Sequence, residues 1–371
     1  MKFDSTQSLV DAFRNGQMVV LADDDDENLG GVVMAPADTI TADQINFMAR
    51  RARGLICVSM TPERCRMLDL PPMVAVETAA HGSRFTVSIE AAEGVTTGIS
   101  AADRAHTIRT AISRSYKPGD IVQPGHVFPL RAEPGGVLKR AGHTEGGCDL
   151  ARLAGLSPSA TLADILDDSG SLATGAALAE FAAKYGLPIG SIAELIEFRL
   201  INEATVSHER SGMVQTAYGE FQLHAFREST EGRTHIALTK GDIRADRPTL
   251  VRVHVSTALR DLLATELPDK EASWNAGRCL QRIAEEGNGV MVLINQSEDD
   301  AHLQHSIRLA LGEQGMETPI ADAGVVYNLI GVGAQILRSL NVGRMRIMGP
   351  PVRYNALSGF GLEVEEHLSN P

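Results

Sequence analysis

A chain of 371 residues suggests two domains of ordinary size, and 43% hydrophobic residues are enough for each to bury a core. Its 34 basic and 47 acidic residues leave a net charge of −13. That charge excludes a general nucleic-acid or anionic-membrane binder but not a phosphorylated ligand, whose pocket needs only local positive charge. Cys57, Cys65, Cys148 and Cys279 show neither paired zinc-like spacing nor a dense disulfide pattern. The amino terminus has no signal-peptide apolar core and no run is long enough to span a membrane, so a cytoplasmic protein is expected.

The first half alternates short apolar strands with amphipathic helices. Met18–Leu21 and Gly31–Met34 read as strands flanking an acidic loop, Asp23 to Asn28. Thr41–Arg53 reads as a helix capped by Thr41, with Ile45, Met48 and Ala49 on one face. Leu55–Ser59 is a strand, and Phe85–Glu90 alternates with the period of a half-buried strand. Ala101–Ser113 and Ala176–Tyr185 look helical. A polar stretch, Ile201–Gly212, carries the expected domain boundary. Strands then resume at Ile236–Leu238, Leu250–His254 and Gly289–Ile294, with helices over Trp274–Glu286 and His302–Gly312. The mixture implies α+β or α/β layered domains.

The most chemical segment runs from Gly135 to Glu145. Arg140 offers a planar fork for phosphate, and His143 an imidazole nitrogen for a metal. Thr144 and Glu145 follow directly, and the nearby glycines let backbone approach a ligand. Upstream lie the acidic loop, Thr96-Thr-Gly-Ile-Ser-Ala-Ala-Asp103-Arg104, and Pro124-Gly-His126-Val-Phe-Pro-Leu130. Asp103-Arg104 reads as a helix-start ion pair, and His126 either as a structured turn or as part of a site.

In order and spacing these motifs resemble 3,4-dihydroxy-2-butanone 4-phosphate synthase, over about residues 5–200. The resemblance implies a mixed sheet with helices over residues 1–203 and conversion of ribulose 5-phosphate to 3,4-dihydroxy-2-butanone 4-phosphate and formate. It implies Glu27 and His143 as ligands of two magnesium (or manganese) ions, with no zinc. Arg140, Gly142 and Thr144 would hold the sugar phosphate. Asp26, Asp164 and Cys57 would lie at the substrate and His126 would orient a catalytic group, so that Glu27, His126, His143 and Asp164 form the catalytic set. Cys57 reads equally well as a small buried hydrophobe. The resemblance implies a homodimer; other riboflavin-pathway enzymes are the expected partners if the chemistry is lost.

The second half, residues 208–371, resembles a GTP cyclohydrolase II domain through Ala217–Phe221, Ile236–Asp242, Leu250–His254, Ile283–Val290 and Gly331–Leu337. That family binds catalytic zinc with three cysteines after the Val-Arg-Val-His strand. Here Val255–Lys270 contains none, and Cys279 alone cannot build such a site. Asn295–His302 stands where an arginine- and glycine-rich nucleotide segment is expected, and its carboxylates would repel a triphosphate. His302 and His305 read as solvated, so no GTP hydrolysis is expected.

The first half departs from its family too. Asp26 stands where an arginine is expected, Leu29 for a glutamate, Gly31 for an aspartate and Asp164 for a glutamate. Loss of a general acid or base costs about 10²–10⁴-fold in rate. Three expectations follow: a working lyase at reduced rate; a catalytically inactive homologue serving as a regulatory or scaffolding partner or as a binder of sugar-phosphate or flavin-related ligands; or altered chemistry on a different phosphorylated sugar.

Overall fold

The computed structural model describes residues 2–23, 30–74, 84–230, 232–265, 274–296, 298, 300–311, 323–349 and 360–369. The chain divides into two compact units, Met1–Phe198 and Arg199–Pro371. Among the described residues no helix is long and apolar enough to cross a membrane.

The first unit is built on β1 (Val19–Ala22), β2 (Gly31–Pro36), β3 (Cys57–Met60), β4 (Ile89–Ala91), β5 (Ile121–Arg131), β6 (Ala160–Asp164) and β7 (Ile189–Ser191). They form one mixed sheet in the order β4-β5-β3-β6-β2-β1-β7. β1, β2 and β3 are buried along their whole length, as strands covered on both faces must be, which explains their unbroken apolar runs. The helices are α1 (Thr6–Arg14), α2 (Ala42–Phe47), α3 (Pro62–Met67), α4 (Ala101–Ile112), α5 (His143–Leu153), α6 (Gly175–Tyr185) and α7 (Ile192–Asn202), the last continuing into the second unit. One core gathers Ile45, Met48, Ile108 and Leu178 against Val20, Val33 and Val58 of the sheet.

Local chemistry accounts for several boundaries. Thr41 and Gln44 form a reciprocal capping box at the start of α2. The helix expected to run to Arg53 changes to a π turn over Met48–Ala52 and ends at Arg53 with φ 72°. The strand expected over Phe85–Glu90 shortens to Ile89–Ala91, with only isolated bridges at Phe85 and Thr86. Thr86 donates its N–H to the Pro129 carbonyl, and proline has no N–H to return. Asp103 does not pair with Arg104. It accepts from Thr96 Oγ1 at 3.0 Å and Gly98 N at 3.1 Å, fixing the loop ahead of α4.

The second unit holds β8 (Val206–Thr216), β9 (Gly219–Glu228), β10 (Thr234–Lys240), β11 (Pro248–Val255), β12 (Gly289–Ile294), β13 (Arg344–Met348) and β14 (Glu363–Leu368). They form a second sheet in the order β14-β13-β11-β12-β10-β9-β8, with α8 (Ala276–Glu286), α9 (Asp300–Ala310) and α10 (Ala323–Ser339). The polar stretch 201–212 is not an irregular connection. It forms the end of α7 and the start of β8, an exposed edge strand whose polarity suits its place in the sheet.

Candidate active site

α5 lies against one face of the first sheet, and two glycines set how closely. A Cβ at Gly146 would stand 2.5 Å from Leu21 Cδ2, and one at Gly147 2.9 Å from Ala160 Cβ and 3.0 Å from Ser59 Oγ. Ser59 and Ala160 share their sheet face with Cys57 and Asp164, because side chains alternate along a strand and Cys57 registers with Leu162. The same register pairs Cys57 with Phe128, so His126, two residues earlier on β5, belongs to that face as well.

His143 is the first residue of α5, with Gly142 as its N-cap. Among the described residues its Nε2 is buried without a hydrogen-bond partner. Asp23 Oδ1 is 3.3 Å from Nε2. Burial holds the imidazole below its ordinary pKa despite Asp23 and Asp164, favouring the neutral ring that ligates metals. Burial also raises the Asp23 carboxyl, against the pull of His143. A buried, neutral imidazole nitrogen without a hydrogen-bond partner is suited to ligate a metal. Asp23 and His143 stand about as far apart as neighbouring donors around an ion with bonds of about 2.1 Å, so this pair fits a divalent cation. Among the described residues no third metal-capable side chain joins them. Glu27, the other expected ligand, Asp26 and Leu29 lie outside the described residues.

Arg140 sits ahead of α5, its Nη1 3.4 Å from both carboxylate oxygens of the fully buried Glu145. Thr144 is buried on the first turn of the helix. Asp164 ends β6 exposed, and its charge is felt at His143, Asp23 and Cys57. Burial, with a smaller contribution from Asp164, pushes the Cys57 thiol up to about 12, so Cys57 is a neutral, largely buried group. His126 is exposed, with Nδ1 2.8 Å from Glu90 Oε2, a partner that fixes its tautomer. Glu90 itself backs onto the Thr96–Gly98 loop, where only glycine at position 98 leaves room for its carboxylate.

One departure gains a physical explanation. A Cβ at Gly31 would lie 2.7 Å from Leu178 Cδ2, so the space an aspartate would need belongs to the core. Glu145 and Glu90 went unassigned from sequence. An acidic residue on a helix face otherwise rich in glycine and small apolar residues was the available signal for Glu145.

In the second unit, His254 is buried at the end of β11, where the expected zinc segment begins. Its Nε2 is 2.7 Å from Asp261 Oδ1, and Arg252 Nε donates to Nδ1 at 3.4 Å. Asp261 also accepts from the backbone N–H groups of Thr257 at 2.8 Å and Ala276 at 2.9 Å. The imidazole is therefore committed to an internal network, and burial followed by the Arg260 charge lowers its pKa to about 4.

The chain is thus built as two α/β units, the first with a helix-borne histidine over a mixed sheet. The family model for 3,4-dihydroxy-2-butanone 4-phosphate synthase matches residues 7–198, and that for GTP cyclohydrolase II matches residues 207–369. The 3,4-dihydroxy-2-butanone 4-phosphate synthase of Pseudomonas aeruginosa is 46% identical over 99% of this chain and 99% of its own length. The riboflavin biosynthesis protein RibBA of Aquifex aeolicus is 45% identical over 99% of this chain and 92% of its own length. Among solved structures, the two-domain 3,4-dihydroxy-2-butanone 4-phosphate synthase RibBX from A. baumannii superposes with a TM-score of 0.81 at 42% identity, covering 99% of this chain and 100% of that one. A 3,4-dihydroxy-2-butanone 4-phosphate synthase in complex with two magnesium ions superposes with a TM-score of 0.53 at 38% identity, over 54% of this chain and 99% of its own. The chain belongs to the 3,4-dihydroxy-2-butanone 4-phosphate synthase family and is a lyase of riboflavin biosynthesis.

Proposed function

We propose that this chain converts ribulose 5-phosphate to 3,4-dihydroxy-2-butanone 4-phosphate and formate with magnesium, at a reduced rate and as a homodimer, and that its second unit does not hydrolyse GTP. The observation that carries the first claim is the bare, buried Nε2 of a neutral His143 facing Asp23 beside Arg140. By the family resemblance Glu27 and His143 would hold the metal, with Asp23 as the carboxylate facing His143. When bound, the divalent ion polarises neighbouring sugar oxygens and so eases proton loss from the adjacent carbon. Arg140, Gly142 and Thr144 bind the phosphate at the start of α5, where the helix dipole favours an anion. That anchor keeps the sugar in register through a multistep rearrangement. Asp164 contacts the substrate from the end of β6. His126, its Nδ1–H held by Glu90, presents Nε2 to accept a proton. Cys57 supplies neutral surface.

The second claim is supported by the sequence between Val255 and Lys270, which has no cysteine, and by the engagement of His254 with Asp261. Acidic Asn295–His302 would further oppose a triphosphate.

The test is formate release from ribulose 5-phosphate with magnesium, and separately from GTP, using wild type, Glu27→Ala and His143→Ala. Metal-dependent formate from the sugar phosphate, lost in both variants, is expected, with none from GTP. Folded wild type that releases no more formate than the variants would sink the enzymatic reading in favour of a ligand-binding or scaffolding role. Formate from GTP would overturn the second claim.

A further inference from the structure

We propose that Glu145 and Asp149, buried one turn apart on α5, are positioning residues that hold the 133–142 loop and the Arg140 guanidinium in the geometry for the substrate phosphate; this rests on the phosphate role proposed for Arg140. Both carboxylates lie on the covered side of the helix, and both reach out of the helix to backbone of the same loop. Glu145 Oε1 accepts from Glu133 N at 2.8 Å, and Asp149 Oδ2 accepts from Val137 N at 2.8 Å. The two carboxylates are spaced i, i+4, and so are the two amides they bind. One helix face therefore fixes the loop at two points. Glu133 in turn pairs with Arg84, tying the loop's entrance to the segment beside β5.

The loop leads directly to Arg140, and Glu145 also faces that side chain. Nη1 lies 3.4 Å from each carboxylate oxygen, longer than the about 2.7–2.9 Å of a full charge-assisted bond. The guanidinium thus faces Glu145 without a tight ion pair to it. Gly142 permits the arrangement, since a Cβ there would be 2.7 Å from Glu145 Oε2. A carboxylate with no exposure, joined to a backbone amide and to a phosphate-facing arginine, is a costly feature for a helix that only needs to pack.

The two jobs of Glu145 can be separated. Glu145→Gln keeps an oxygen for the Glu133 amide and removes the charge facing Arg140. Asp149→Asn likewise keeps the acceptor for Val137. Glu145→Ala removes both functions. Formate release would be followed for kcat and KM, with thermal denaturation in parallel. Binding of inorganic phosphate would be measured by calorimetry, which needs no turnover. For Glu145→Gln, KM and the phosphate Kd should rise roughly tenfold, the scale of a hydrogen bond to a charged group, with kcat and Tm nearly unchanged. Asp149→Asn should change KM less, and Glu145→Ala should raise KM further and lower Tm. Unchanged KM and phosphate Kd in Glu145→Gln would overturn the proposal, as would a fall in kcat alone, which would place Glu145 at the reacting atoms. A wild type that binds phosphate more tightly than Glu145→Gln but releases no formate would uphold the clamp and sink the lyase reading. Absence of phosphate binding and of formate in wild type would overturn both.

Discussion

Position 31 shows how a single residue changes meaning once its surroundings are known. In sequence, glycine there is a missing carboxylate. In the fold it lies within β2, buried, with the Leu178 side chain occupying the space a Cβ would take. Restoring an aspartate would overfill that contact and bury a charge without a partner. Gly31→Asp should therefore reduce both Tm and formate release, whereas Gly31→Asp with Leu178→Ala should recover part of each. A single Gly31→Asp variant faster than wild type at unchanged Tm would refute this. Cys57 was the other open case, a small buried hydrophobe or a substrate contact, and burial leaves its thiol neutral under either reading.

Among the elements, α5 does the most to assemble the site. Its first turn carries His143, Thr144 and Glu145, and its second carries the glycines that seat it on the sheet. Alanine usually favours a helix interior over glycine by about 1 kcal/mol. At position 147 packing should reverse that preference, because the added methyl meets Ala160 Cβ at 2.9 Å, and neither helix nor strand can yield cheaply. Gly147→Ala should lose roughly 1–3 kcal/mol in denaturant unfolding. It should also reduce activity, since any lift of α5 moves His143 away from Leu21 and Asp23. A Gly147→Ala protein as stable as wild type would show that the close seating is not needed.

For the whole molecule, the second unit has kept a layered fold around a site committed to internal bonding. His254 carries a consequence for acid stability. Its folded pKa is about 4, below the 6.5 of an ordinary imidazole. Between those values the unfolded chain binds more protons than the folded one, so stability falls as pH drops from about 6.5 toward 4. The full shift corresponds to roughly 3 kcal/mol. Thermal denaturation across this range should show His254→Gln, which cannot titrate, losing less stability on acidification than wild type. Parallel pH profiles for the two proteins would exclude His254 as the source.

Strand and helix positions were largely readable along the chain, because continuous apolar runs mark strands covered on both faces and helical spacing marks α4, α6 and α8. So were the residues brought together near the start of α5, since Arg140, Gly142, His143 and Thr144 are neighbours in one segment. Segments whose conformation depends on distant partners were not. The expected strand that shortens to β4 answers to Pro129, the π turn ends at Arg53, and the polar stretch after Ile201 leads into an edge strand. Sequence by itself determined the family, the two-part organisation of its motifs and the absence of a three-cysteine zinc site, because these rest on residue identity and local spacing. Tertiary structure alone decided that Asp23 meets His143, that Glu90 holds His126, that Leu178 fills the space beside Gly31 and that Glu145 stands behind Arg140. Each of those depends on which faces of separate elements are packed together, and chain spacing does not encode that.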